Sequence, residues 1–284
     1  MSGETRGAVL VTGSSTGIGR ACALHLDRVG FQVFAGVRKR DAAESLAAEA
    51  SERLEPVIVD VTDDTTIEIT KERIDQVTGG RLAGLINNAG VGRGGPMEAL
   101  DIDDLRDQLE VNVTGQVTVT KAFLPMLRAA KGRVVFISSI GGRVALPYMA
   151  PYSASKHAIE AIGDSLRREM RPFGVEVSIV EPGAIATPMW DKAGQEAERV
   201  RGRLSPEHAE VYGPAAEAFT EAFREVGQSG IPPQKVAQVV ERALTSRRPK
   251  TRYLVGRDAR FQAILRKWLP DRLLDRGISS QLGG

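Results

Sequence analysis

The strongest constraint on the fold is an alternation. Through its first 185 residues the chain switches between short β-rich runs and helix-length patterns. Strand-like runs fall at Ala8–Thr12, Gln32–Ala35, Pro56–Asp60, Leu82–Ile86, Gly132–Ser138 and Val175–Glu181. Helical patterns fill the gaps at Gly17–Val29, Asp41–Glu52, Asp64–Val77, Asp103–Ala130 and Tyr152–Arg171. Strands that alternate with helices build a parallel sheet with helices on both faces. Ala8-Val9-Leu10-Val11 and Val134-Val135-Phe136-Ile137 are apolar without a break, as strands buried on both faces are. The pattern predicts an α/β fold with a single, doubly wound, parallel sheet.

After Thr187 the pattern changes. As far as Gly230 the sequence is polar and helix-forming, interrupted by Pro206, Gly213 and Pro214. This segment reads as a helical insertion covering a substrate site. A helix near Pro233–Ser246 and a seventh strand, Arg252–Val255, complete one domain spanning residues 1–284, with residues 258–284 as a helical tail. Within Asp258–Gly277, Phe261, Ile264, Leu265, Trp268 and Leu269 recur at the spacing of one helical face. A helix packed on its own domain or on a partner subunit is the expectation. Arg260, Arg266, Lys267, Arg272 and Arg276 also suit a helix lying at a membrane surface.

Composition narrows the classes of function. Hydrophobic residues are 42% of 284 and charged residues 26%, which is the balance of a globular chain. Lys+Arg is 38 against Asp+Glu 36, so no basic excess points to nucleic acid. Cys22 is the single cysteine, lies in an apolar helical pattern, and forms no internal disulfide. The sequence shows neither a signal-peptide pattern nor an apolar stretch long enough to span a bilayer, so a cytoplasmic location is expected. Glycine is enriched, at 30 residues, which raises the question of where backbone must come close to something else.

One answer is the first strand-to-helix turn, Thr12-Gly13-Ser14-Ser15-Thr16-Gly17-Ile18-Gly19. Small residues there let backbone approach a pyrophosphate, and the helix N-terminus offers free N–H groups and partial positive charge. A tight turn alone could need the same residues, but the strand before and the helix after are the context of a dinucleotide site. The second strand ends Gly36-Val37-Arg38-Lys39-Arg40, without the acidic residue that would bind a 2′-hydroxyl. Arg38 favours NADP(H) over NAD(H), with Ser14 or Lys39 as second contacts. A charge-assisted contact of about 1.5–3 kcal/mol corresponds to a tenfold to hundredfold preference. Asp60, before Val61, suits either an adenine amine or a cap on the following turn.

Tyr152 and Lys156 are four residues apart on one helical face. A neighbouring ammonium favours the tyrosinate, so the pair suits proton exchange near neutral pH. Ser139 ends an apolar strand, where open parallel sheets bind ligands, and its hydroxyl suits a carbonyl oxygen on which negative charge develops.

With these pieces in this order, together with Asn87-Asn88-Ala89-Gly90, Asn112 and Pro182-Gly183 with Thr187, the chain resembles the short-chain dehydrogenases/reductases of the classical type. The resemblance implies a Rossmann fold, cofactor contacts from the glycine loop, from Asn88, Ala89 and Gly90, and from Pro182, Gly183, Ile185 and Thr187. It implies that Asn112 holds a water in a proton relay to Lys156, that Lys156 binds the nicotinamide ribose, that Ser139 orients the substrate oxygen and that Tyr152 exchanges its proton. It also implies a homodimer or homotetramer and no metal. Asn112 read by itself suggests only a kink or cap in a helix. Phe34-Ala35-Gly36-Val37-Arg38 and the long insertion are similar to the branch of 17β-hydroxysteroid and retinol dehydrogenases. Val144, Leu146, Tyr148, Met149, Met189, Trp190 and the neighbourhood of Phe219 and Phe223 are then the walls of a pocket for a lipophilic carbonyl or alcohol. They equally suit packing of the insertion or a subunit contact. Other readings are enoyl reduction, an NAD-dependent enzyme for a small polar substrate, and a cofactor-binding regulator without turnover.

Overall fold

The computed structural model describes residues 5–281, apart from the side chains of 219, 222–224, 226, 228 and 279–281. In chain order the first half contains β1 (Ala8–Val11), α1 (Gly17–Arg28), β2 (Gln32–Val37), α2 (Arg40–Ala47), β3 (Leu54–Ile58), α3 (Asp64–Thr78), β4 (Gly84–Asn87), α4 (Ile102–Leu109) and α5 (Gly115–Ala130). The second half contains β5 (Arg133–Ile137), α6 (Ala150–Met170), β6 (Glu176–Pro182), α7 (Met189–Arg201), α8 (Pro206–Gln228), α9 (Gln234–Thr245), β7 (Arg252–Val255), α10 (Arg257–Trp268) and α11 (Asp271–Gln281).

The strands form a 7-stranded sheet in the order β3-β2-β1-β4-β5-β6-β7, with every pair parallel. The winding direction reverses between β1 and β4. Their carboxyl ends diverge there into the crevice where such sheets bind ligands. The unbroken apolar strands are explained by the two cores. Val9, Val11 and Val33 pack with Leu26 and Val240 under α1 and α9, whereas Leu10, Phe34 and Phe136 pack with Ile74, Phe123 and Ile159 under α3, α5 and α6. Cys22 is buried in the first of these cores.

Three departures from the sequence pattern have physical causes. Pro56 sits inside β3 rather than at its start, paired with Ala35; β3 is an edge strand, where a missing N–H leaves no ladder bond unmade. The helix expected over Asp103–Ala130 is broken by a π-helical turn at Glu110–Thr114, with Asn112 at its centre. Finally, Pro270 divides the tail into α10 and α11, and the apolar stripe does not pack as one face on the domain. Ala259 and Ala263 are the buried residues of α10, while Phe261, Ile264 and Trp268 are exposed.

Candidate active site

The glycine loop is held by the ends of β1 and β4. The Thr12 hydroxyl donates to the Ile86 carbonyl and accepts from the N–H groups of Asn88 at 3.0 Å and Ala89 at 3.1 Å. The Asn88 carboxamide donates back to the carbonyls of Thr12 and Gly13. Gly13 and Gly17 have φ of +68° and +57°, the left-handed region that suits glycine. Gly19 is buried, and a Cβ on it would lie 2.2 Å from the Gly13 carbonyl oxygen. Its role is close packing of α1 on its own loop. The first turn of α1 carries neither a side-chain cap nor an acidic residue, so its N–H groups and positive dipole end remain for an anion.

Gly13, Ser15, Thr16, Gly17 and Ile18 line a cavity of about 1640 Å³. Ser14 does not. It is fully buried, its N–H donates to Gly36 O at 2.7 Å and its hydroxyl to Val11 O at 2.9 Å. That corrects the expected contact between Ser14 and a 2′-phosphate, because the hydroxyl is already spent inside the loop. Arg38 does reach the cavity; it is 67% exposed, with Nη1 4.0 Å from Asp60 Oδ2. Lys39 is exposed at the start of α2 and does not line the cavity. Asp60 takes the capping role, and its place leaves the adenine role open to it. One oxygen accepts from the N–H and hydroxyl of Thr62, capping the turn, and the residue lines the cavity beside Val61.

Beyond β4, the segment from Ala89 to Arg93 is carried by three buried amides. Gln116 donates to Ala89 O, Asn112 bonds both the N–H and the carbonyl of Val91, and Gln108 bonds Val91 O and the N–H of Arg93. Asn112 also donates to the Ser155 hydroxyl at 3.1 Å, and that hydroxyl donates to Tyr152 O at 2.7 Å. Both ends of the Asn112 side chain are therefore used as a brace between the β4 loop and α6. Gln108 and Gln116 were not anticipated. Their signal was spacing, since three amides recur every four residues along one stretch of helix.

Ser139, Tyr152 and Lys156 come together at the end of β5. Ser139 caps the turn that follows, accepting from Gly141 N–H at 3.0 Å, and its hydroxyl lies beside the Tyr152 phenol and favours the ionised form. A Cβ on Gly141 would stand 3.2 Å from the Tyr152 ring, so glycine there leaves the phenol its place. Lys156 is buried; its Nζ donates to Ile137 O at 2.9 Å and lies 5.7 Å from the centroid of the Tyr152 ring. Burial lowers the Lys156 pKa to about 8, opposed by the nearby Glu160 carboxylate. Burial also raises the Tyr152 pKa, opposed by the neighbouring Ser139 hydroxyl. The expected lowering of the phenol by Lys156 is not met here, because desolvation dominates and the ammonium is directed at a strand carbonyl. Behind the trio, Glu181 is fully buried with Arg143 at 2.8 Å and Arg252 at 3.3 Å, and burial pushes its carboxyl up to about 7.

Pro182, Gly183, Ile185 and Thr187 border the same cavity. A Cβ on Gly183 would fall 2.0 Å from the Asp258 carboxylate, which accepts from Ala184 N–H at 2.7 Å. Asp258 thus ties the tail to the loop after β6. Val144, Leu146, Tyr148, Met149, Met189 and Trp190 all line the cavity, as do Leu265, Leu269, Leu273 and Leu274 from the tail. The side chains of Phe219 and Phe223 lie outside the described residues. The Trp190 indole donates to Ile185 O at 2.6 Å.

The insertion is fastened to α4 and the β4 loop by charge. Arg199 donates to both carboxylate oxygens of Asp104 at 2.7 Å and also bonds Glu196. Arg93 bonds Asp107 at 2.7 Å and Glu196 at 3.2 Å. Burial works to raise the Glu196 pKa, but Arg199 and Arg93 outweigh it and hold the carboxyl below its ordinary value.

Residues 7–198 match the family described as short chain dehydrogenase. Over 94% of this chain and 86% of theirs, it is 41% identical to retinol dehydrogenase 5 of Mus musculus and 39% identical to 17-beta-hydroxysteroid dehydrogenase type 6 of Bos taurus. Among solved structures, a short chain dehydrogenase from Burkholderia cenocepacia in complex with NADP superimposes with a TM-score of 0.74 at 27% identity, covering 96% of this chain and 97% of that one. Among the described residues, no helix is long and apolar enough to cross a membrane.

Proposed function

The chain belongs to the short-chain dehydrogenase family, in the branch of retinol and 17β-hydroxysteroid dehydrogenases, and from that premise we propose that it is an NADP(H)-dependent oxidoreductase for the carbonyl/secondary-alcohol pair of a lipophilic molecule. One observation carries the reading. A single cavity runs from the glycine loop and Arg38, past Asn88, to Ser139, Tyr152 and Lys156, and ends among apolar side chains. The uncapped first turn of α1 fits a pyrophosphate, and the exposed Arg38 fits a 2′-phosphate. Asp60 and Val61 would flank adenine, Ala89 and Gly90 would follow the dinucleotide across the sheet, and Pro182, Gly183, Ile185 and Thr187 would border the nicotinamide. The bound dinucleotide supplies or accepts the hydride.

The chain's own residues do the rest. Ser139 holds the substrate oxygen. In reduction Tyr152 gives its phenol proton to that oxygen, and in oxidation it takes the proton back; such general acid/base work contributes roughly 10²–10⁴ in rate. Lys156, anchored on the Ile137 carbonyl beside the Tyr152 ring, would bind the nicotinamide ribose. The apolar walls orient the substrate and exclude water. The test is a turnover screen of the purified full chain with NADPH, NADP, NADH and NAD against steroids, retinoids, acyl ketones and small aldehydes. The reading expects faster turnover with the phosphorylated cofactors and on the lipophilic panel. Dinucleotide binding without turnover on any substrate would replace it with a regulator on the same fold.

A further inference from the structure

The amphipathic character of α10 points away from the domain. Its seat is made by the small residues Ala259 and Ala263, both buried, and by Asp258, whose carboxylate holds Ala184 N–H. Leu265 and Leu269 turn toward the cavity. The largest apolar side chains are exposed: Phe261, which also borders the cavity, is 59% exposed, and Ile264 and Trp268, which do not line it, are 57% and 73% exposed. At roughly 100° per residue, these three fall within about 60° of arc. Arg257 lies in the same arc, Arg260 and Lys267 border it, and all three are exposed. The Lys267 ammonium lies 5.0 Å from the centroid of the Trp268 ring. After Pro270, α11 adds Leu273, 48% exposed, with Arg272 and Arg276. From Arg257 to Gln281 the sequence carries six basic residues and three acidic ones.

We propose that this face docks on an anionic lipid bilayer, with Phe261, Ile264 and Trp268 entering the headgroup region and Arg257, Arg260 and Lys267 meeting lipid phosphates. Charge decides between a bilayer and a second copy of the chain. In a two-fold contact centred on this face the three cations would confront their own kind, whereas a surface of lipid phosphates complements them. A tryptophan beside cations suits the boundary between headgroups and acyl chains, where its ring is half apolar and half polar. Insertion of side chains alone requires no spanning helix. The docking face is also continuous with the cavity, because Phe261 borders both, and α10, the turn at Leu269 and α11 supply Leu265, Leu269, Leu273 and Leu274 to the cavity wall. Docked in this way, the cavity opens beside the bilayer. The proposal does not depend on the reaction assigned to the site.

The full chain is mixed with phosphatidylcholine vesicles, with and without about a third phosphatidylglycerol, and followed by co-sedimentation and by quenching of tryptophan fluorescence with brominated lipid. Binding to the anionic vesicles is expected, falling as salt is raised. The double variant Ile264→Asp, Trp268→Asp should lose at least about tenfold in lipid affinity with its thermal midpoint and NADPH binding unchanged. Arg260→Glu with Lys267→Glu should lose about tenfold and the preference for anionic lipid. No co-sedimentation of the unaltered chain would overturn the proposal, as would undiminished binding by the Asp variant. So would light scattering that shows this variant breaking a dimer while the unaltered chain ignores vesicles.

Discussion

The two ends of the cavity are held by different forces. At the cofactor end, Thr12, Asn88, Gln108, Asn112 and Gln116 bond backbone groups, mostly out of water, and most of these bonds join neutral partners. At the insertion end, Arg93 and Arg199, each about a third exposed, clasp Asp104, Asp107 and Glu196. Leaving a buried polar group without its partner costs about 1–3 kcal/mol. A partly exposed ion pair contributes nearer 0–1 kcal/mol and weakens in salt. The contrast describes a fixed frame for the dinucleotide and a cover whose attachment is weaker and responds to ionic strength.

The largest test of the fixed end is its chemistry. Tyr152→Phe removes the exchangeable proton and keeps the ring, so kcat should fall by roughly 10²–10⁴. NADPH affinity, measured by fluorescence titration, should stay as it is; substantial turnover in the pure variant would remove Tyr152 from the proton transfer. Arg38→Asp should come next, shifting the ratio of kcat/KM for NADPH and NADH toward NADH by about tenfold to hundredfold. An unchanged ratio would make Arg38 an ordinary surface cation. Asn112→Ala probes the frame itself. It strips partners from Val91 and Ser155, and denaturant unfolding should show a loss of about 1–3 kcal/mol. A loss near zero would show that the brace is redundant with Gln108.

The fixed end was also the end most legible in the sequence. Unbroken apolar strands, a glycine turn and the spacing of Tyr152 and Lys156 are local patterns, and local patterns survive into the fold. What escaped was set by tertiary burial. The inward turn of Ser14 depends on Val11 and Gly36 across the loop, and the raised phenol of Tyr152 depends on desolvation that spacing does not encode. The amides at 108, 112 and 116 were visible as a repeat but had no meaning until the β4 loop lay against them. The insertion was legible only as helix. Spacing does not reveal the partner of Arg199, because Asp104 on α4 lies far back in the chain. The tail shows the opposite failure. Its apolar stripe predicts a packed face or one lying at a membrane surface, and the structure divides it, with Leu265 and Leu269 on the cavity, Ile264 and Trp268 exposed, and Phe261 at the border.

The smallest predicted effect bears most directly on how the two ends differ. Arg199 is the hub of the insertion's ion cluster, reaching Asp104 on α4 and Glu196 on its own helix. Arg199→Ala frees α7 from α4 but leaves Ser139, Tyr152, Lys156 and the glycine loop untouched. KM for the lipophilic substrate should then rise roughly two- to fivefold, the size of a lost partly exposed ion pair, with kcat and NADPH affinity unchanged. In the unaltered chain KM should climb toward the variant's value in about 1 M NaCl, where the Debye length falls to roughly 3 Å. The variant should show little salt response of its own, since its principal pair is already gone. If KM of the unaltered chain ignored salt, or if Arg199→Ala lowered kcat instead, the insertion would be held by the packing of Trp190 and its neighbours. The division between a hydrogen-bonded frame and an ionic cover would then have to be abandoned.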